Sequence, residues 1–208
     1  MSLSITLVIV VISGIISYQG FNNRSFFDRL KHYPVAEENS KEYYRMLTSG
    51  FLHGSWMHLI INMYVLLQFG EIIEYRFVDL FGNMGRIIYV LFYLTAIVIA
   101  DIPTYLKHKD NPSFSSIGAS GAVSAVVFAF IMYYPLQGLT FIFFPFFAIP
   151  AIILGIGYLI YSSWASEKGR DNLDHLAHFT GAVYGVLFAI VSNPSILQSF
   201  ADQIMGAF

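Results

Sequence analysis

An all-α membrane protein with six transmembrane helices is the fold class this sequence predicts, and three observations predict it. Hydrophobic residues make up 56% of the 208-residue chain and charged residues 12%, with a mean hydropathy of +0.62. A soluble domain carries about 25% charged residues, so half the usual charge is missing. No Asp, Glu, Lys or Arg occurs in residues 1–23, 46–70, 111–166 or 175–201, whereas a bilayer span needs only about 20 mainly apolar residues. Pro and Gly punctuate these runs where helices should turn. A net charge of −2 without a basic block excludes a nucleic-acid binder, and the apolar balance excludes disorder and a coiled coil. Absence of Cys removes disulfides, thiol nucleophiles and zinc–thiolate sites.

The first helix is expected at about residues 3–18; it lacks the basic n-region and small-residue cleavage site of a signal peptide, so it is expected to stay as a span. Residues 19–55 form a long first loop, with Arg24, Arg29, Lys31, Lys41 and Arg45 among several acids. Its Phe26, Phe27, Tyr43, Tyr44 and Phe51 are apolar enough for partial immersion in the membrane, and loops of this length are often functional. The second and third helices are placed at about 56–73 and 86–105, and the fourth at 119–134. Pro135-Leu-Gln-Gly138 turns the chain into a fifth helix at 140–162, which Pro145 and Pro150 should bend. A sixth helix follows at 176–192 and a short tail at 193–208. No internal repeat or low-complexity tract interrupts this order, so residues 1–208 are expected to be a single polytopic membrane domain.

Polar side chains inside spans are costly and mark function by default. They fall in three places. In His53-Gly-Ser-Trp-Met-His58-Leu-Ile-Ile-Asn62, His58 and Asn62 are four apart and share a helical face. Two donors there suit a developing oxyanion, or equally a hydrogen bond to a neighbouring helix. Gly118-Ala119-Ser120-Gly121 opens the fourth helix, where unpaired N–H groups and the helix dipole favour negative charge. Ser120 there is an accessible nucleophile or, equally, a small packing residue. Ala177-His178-Phe-Thr-Gly181-Ala-Val-Tyr-Gly185 puts a base beside a small-xxx-small face that admits another helix closely. Alone, His178 reads better as a buried histidine satisfied by a neighbouring hydroxyl.

Topology couples the three. Six alternating spans put the starts of the second, fourth and sixth helices on one side of the membrane, at similar depth. A nucleophile, a base and oxyanion donors are the minimum set for acyl transfer. Other intramembrane hydrolyses fit poorly. No His is followed by Glu, as a His-Glu-x-x-His metallopeptidase requires. Asp101 is the one acid near a span interior, so an aspartyl dyad lacks its second carboxylate.

These residues resemble the rhomboid family of intramembrane serine proteases over about residues 43–190. Gly118–Gly121, Ala177–Gly185 and His53–Asn62 resemble its three helix motifs. Tyr44-Arg45 resembles the Trp-Arg pair ending its first loop, and Glu74 the acid closing its second helix. The resemblance implies a six-helix rhomboid-like bundle with a Ser120–His178 dyad and no third acid. His58, Asn62 and the Ser120 backbone N–H would line the oxyanion hole, and His53 would order the loop and its waters. Gly118, Gly121, Gly181 and Gly185 would let the fourth and sixth helices touch, and Arg45 would anchor the first loop by snorkelling at the interface. It also implies transmembrane-helix substrates, unwound near the cut and admitted by movement of the bent fifth helix and the 163–174 loop. No metal or other cofactor is called for, and the lipid bilayer is the surrounding partner.

Two departures stand out. Active members carry Tyr one turn after the serine, stacked on the catalytic His, and here that position is Ser124. Tyr184, Tyr105 or a hydrogen bond from Ser124 would then have to orient His178. The family topology puts the N-terminus in the cytoplasm of a bacterial inner (plasma) membrane and the site's mouth outside. Yet the mouth-side loops carry nine Lys/Arg (24, 29, 31, 41, 45, 107, 109, 168 and 170) against Arg76 and Arg86 opposite, which by the positive-inside rule argues the reverse. A non-proteolytic rhomboid-like protein that binds or escorts transmembrane clients is the alternative function. A transporter fits less well, because the polar residues cluster near one face.

Overall fold

A single computed structural model describes residues 4–141, 144–168 and 174–207, a mostly helical chain. In order it runs α1 (Ile5–Asn22), α2 (Arg24–Leu30), α3 (Pro34–Ser40), α4 (Tyr44–Thr48), α5 (Trp56–Phe81), α6 (Gly85–His108), α7 (Ser120–Tyr133), β1 (Gly138–Phe141), β2 (Phe144–Pro150), α8 (Ala151–Lys168), α9 (His175–Ser192) and α10 (Ile196–Met205). Among the described residues, three stretches are long and apolar enough to cross a membrane: Ile5–Asn22, Trp56–His108 and His175–Ser192. The second comprises α5 and α6, which double back through Gly82, a glycine at φ +57°. Exposed Val11, Ile15, Ile60, Ile160, Leu187 and Val191 suit lipid tails, which are as apolar as they are.

α1 is started by a residue far away in sequence. Ser4 caps it locally, accepting from the Leu7 N–H. The orphan N–H groups of Ile5 and Thr6 donate to the buried carboxylate of Glu74 on α5, each at 2.9 Å. Thr6 Oγ1 reaches the same carboxylate at 3.0 Å, and Arg86 Nε lies 3.7 Å from it. A carboxylate at the positive end of a helix is favourably placed. Glu74 therefore joins α1 to α5.

Within the first loop, α2, α3 and α4 are tied inward by one arginine. Arg45 is only 8% exposed, and its Nη1 donates to the Asp28 carbonyl at 2.7 Å while Glu42 pairs with it at 2.5 Å. The guanidinium therefore holds the end of α2 and does not snorkel outward as expected, because the loop's own carbonyls offer it nearer acceptors. The loop also grips the chain ahead of α7. His32 and Ser116 exchange two backbone hydrogen bonds of 3.1 Å, and Gly118 N–H donates to the Ser49 carbonyl at 3.0 Å. Asp101 accepts from Ser49 Oγ at 3.2 Å.

α7 lies at the centre, with every residue from Gly121 to Tyr133 except Val127 buried. A helix apolar all round belongs inside. Its 14 residues extend about 21 Å, less than the roughly 30 Å hydrocarbon core.

The fifth helix expected at 140–162 is corrected by the structure. Residues Gly138–Phe141 and Phe144–Pro150 form an antiparallel two-stranded ribbon, and α8 starts only at Ala151. The segment is rich in Phe, with two Ile, and both favour strands. Pro145 and Pro150 would each remove a helical hydrogen bond, whereas a two-stranded ribbon is all edge and tolerates them. Of the expected 163–174 gate loop, 163–168 continue α8 and 169–173 lie outside the described residues. The tail contains α10, whose Gln203 donates to the Tyr133 carbonyl at 3.2 Å.

Candidate active site

Gly118 shapes the approach to α7. Its φ of +120° is a conformation that side chains rarely adopt. A methyl there would also come within 2.7 Å of the His58 imidazole. This glycine therefore lets the backbone pass against His58 just before Ser120 opens the helix.

α9 then meets α7 backbone to backbone. A methyl on Gly181 would come within 2.0 Å of the Gly121 carbonyl oxygen, and one on Gly185 within 2.1 Å of that of Ala125. On its other side Gly121 faces Ala100 of α6, where a methyl would approach to 2.7 Å. Two helices this close leave side chains one turn away within direct reach. His178, one turn before Gly181, places Nε2 2.6 Å from Ser120 Oγ. His178 is buried, 8% exposed, and Ser120 is half-buried.

The start of α9 is fixed by a residue that the sequence reading did not single out. Asp174 Oδ1 accepts from the Ala177 N–H and from Thr104 Oγ1 of α6, both at 2.9 Å, and its carbonyl accepts from the His178 N–H at 3.1 Å. An Asp just ahead of an apolar run is a helix-start signal that could have revealed it. His175 was likewise passed over; its ring stands edge-on to His178 at 5.8 Å.

The other predicted residues distribute unevenly. His58 lies against Gly118 and edge-on to His53, with ring centroids 5.0 Å apart. Asn62 is buried one turn further along α5, and its amide donates to the His58 carbonyl at 2.9 Å. His53 is fully buried, with Nδ1 3.0 Å from Ser17 Oγ. Ser17 spends its proton on the Phe51 carbonyl at 3.1 Å, so His53 Nδ1–H donates and Nε2 carries no proton. Burial, with His58 adding to it, pushes the His53 pKa down to about 3. Arg45 is not at the site but in the brace of the first loop.

Neither tyrosine proposed from sequence to orient His178 does so. Tyr184 stacks on Phe92 and bonds Thr95 at 2.6 Å, and Tyr105 is bonded to Glu38. Tyr158 of α8 takes that place, its ring 6.1 Å from the imidazole and 28° from parallel. Its hydroxyl is 2.8 Å from Ser124 Oγ, which donates to the Ser120 carbonyl at 2.8 Å. No sequence signal marks Tyr158, since it depends on how α8 packs.

A serine at the half-buried start of a central helix, paired with an imidazole across a glycine-lined contact in an apolar bundle, defines a rhomboid-like membrane protein. A family model of the Rhomboid domain matches residues 40–194, and the chain belongs to the rhomboid family. Among curated proteins it is similar to the mitochondrial presenilin-associated rhomboid-like protein of Mus musculus, 32% identical over 155 residues, covering 74% of this chain and 39% of that one. The Homo sapiens protein of the same name is 31% identical over the same shares. The chloroplastic rhomboid-like protein 11 of Arabidopsis thaliana is 28% identical over 72% of this chain and 52% of its own. The matched stretch thus spans between two fifths and about half of these relatives. Their names are organellar, which lends no support to the bacterial inner membrane expected from sequence; a membrane location stands.

Proposed function

We propose that this protein is an intramembrane serine endopeptidase that cleaves transmembrane segments of other membrane proteins. The observation that carries the reading is the 2.6 Å approach of His178 Nε2 to Ser120 Oγ at the N-terminus of α7. In the proposed cycle His178 Nε2 takes the Ser120 hydroxyl proton as the oxygen attacks the substrate carbonyl. The same proton then passes to the leaving amine, and water releases the acyl group by the reverse route. The negative oxygen of the intermediate would be met by the Ser120 N–H, with His58 and Asn62 as side-chain donors. One such donor is typically worth about 2.7–4 kcal/mol of barrier. Asn62 gives one amide N–H to the His58 carbonyl and would serve with the other.

We read α1, α5, α6, α7, α8 and α9 as six spans of a single domain. The substrate helix would have to unwind locally, because helical amides are shielded by their hydrogen bonds. It would reach Ser120 by displacement of α8. Cross-linking α5 to α8 without slowing cleavage would count against that route.

The test is to incubate purified wild type, Ser120→Ala and His178→Ala in liposomes with a transmembrane substrate. Cleavage by wild type alone supports the dyad. Intact substrate in all three, with wild type refusing a fluorophosphonate label, sinks the protease reading in favour of client binding.

A further inference from the structure

Ser124 stands one turn after Ser120 and has a single hydroxyl proton, which goes to the Ser120 carbonyl at 2.8 Å. The Tyr158 hydroxyl, 2.8 Å from Ser124 Oγ, must therefore be the donor in that second bond. Tyr158 is thus anchored to the helix that carries the nucleophile while its ring lies against the base on α9. One side chain of α8 touches both halves of the dyad's support.

The seat of α8 is built for this. Gly155, one turn earlier on the same face, lies where a methyl would come within 2.6 Å of Ile131 Cδ1 and 3.4 Å of the Phe128 ring. The Phe128 and Tyr158 rings are themselves 6.1 Å apart. The glycine lets α8 settle against α7, which brings the Tyr158 ring alongside His178.

We propose that Tyr158 is the positioning residue for His178, its ring holding the imidazole toward Ser120 and its hydroxyl clasping Ser124, so that the base is aligned only while α8 is seated on α7. This role rests on the Ser120–His178 protease reading and deepens it. A substrate that displaces α8 would withdraw the ring, and the dyad would be realigned when the helix returns.

The experiment compares wild type, Tyr158→Phe, Tyr158→Leu and the double variant Tyr158→Leu/Ser124→Tyr in liposomes. The readouts are kcat and KM on a transmembrane substrate, and the pH profile of Ser120 labelling by a fluorophosphonate. Tyr158→Leu should lower kcat and the labelling rate about 10–100-fold, the usual effect of a misplaced catalytic group, with KM little changed. Tyr158→Phe keeps the ring and loses the clasp, so it should fall between the two. In the double variant the new ring grows from α7 into the vacated space, and labelling should recover about tenfold over Tyr158→Leu as the base is realigned. Wild-type labelling by Tyr158→Leu, or a loss confined to KM, overturns the positioning role alone. A thermally stable double variant without recovery assigns the loss to α8 packing and overturns it too. Should Tyr158→Leu fail to fold, Tyr158→Phe at wild-type rate and pH profile, alongside a stable unrescued double variant, overturns it. A wild type that labels no better than Ser120→Ala overturns the protease reading itself, and this role with it.

Discussion

Gly185 of α9 lies so close to Ala125 of α7 that a methyl on it would come within 2.1 Å of the Ala125 carbonyl oxygen. The obstacle is backbone in the middle of a buried helix, so it cannot rotate away as a side-chain tip would. Gly185→Ala should push α9 off α7 and cost about 1–3 kcal/mol, the usual range for an overpacked core. A shift of about 1 Å would cost on the order of 100-fold in rate. Thermal melting and fluorophosphonate labelling of the same preparation check both halves; unchanged labelling would mean that the contact does not set the dyad.

Asp174 offers a milder test of the same pair. Asp174→Ala removes the cap on α9 and the acceptor for Thr104, and should cost about 0.5–2 kcal/mol. Asp174→Asn keeps an oxygen for the Ala177 N–H and should lie near wild type in melting temperature and labelling rate. Equal losses in both variants would point to the charge of Asp174 and against its capping role.

The first loop should respond to pH through His32, whose Nδ1 is 2.7 Å from Glu37 Oε1. Burial alone would lower the His32 pKa, but the bond to Glu37 and the carboxylates of Asp101, Glu37 and Asp174 outweigh it, and the value rises above the ordinary 6.5. A pKa raised on folding contributes stability that is complete below the unfolded value and is lost as pH climbs through the folded one. Hydrogen exchange around residues 31–37 should therefore stay protected at mildly acidic pH and quicken, beyond the intrinsic pH effect, above about 6.5. Glu37→Gln removes the partner and should shift that loss to lower pH. A profile identical in wild type and variant would dissociate the pair from the loop.

Glu74 predicts an effect far from the site. Glu74→Ala would leave the N–H groups of Ile5 and Thr6 without their acceptor in a largely buried position, while the Thr6 hydroxyl keeps Tyr89 at 3.0 Å. The cost should be about 1–3 kcal/mol, more than for an exposed cap, and visible as a lower melting temperature. Glu74→Gln keeps one acceptor oxygen and should lose less. Labelling of Ser120 at temperatures below the melt should be unaffected in both.

Residues whose placement follows from spacing were legible in the sequence. His58 and Asn62 share a face because they are four apart, and His178 sits one turn before Gly181; no packing knowledge is needed for either. The membership in the rhomboid family was legible for the same reason, since its motifs are local. Tyr158 was hidden because its contact with His178 crosses two helices, and the choice among Tyr184, Tyr105 and Tyr158 is made by tertiary packing. The 138–150 ribbon was hidden by an apolar run that reads equally as helix or strand; its β-favouring residues and two prolines were the arbiters available. Arg45 was misplaced because a charge in an aromatic loop invites an outward reading, while the carbonyls it binds are assembled only by the fold.

The shortness of α7 has its own consequence for hydrolysis. Were its C-terminal end flush with one boundary, a helix of about 21 Å in a core of about 30 Å would leave its first residue about 9 Å beneath the other. Water is a reactant in the proposed cycle, and it would have to cover that distance to reach Ser120. Helix length therefore sets a supply problem as well as a position. One more turn on α7 would bring the serine nearly level with the headgroups, rich in water but out of reach of a bond deep in a neighbour's span. One turn fewer would sink it further from its co-reactant. On this view the fourteen residues of α7 are a compromise between hydration and reach.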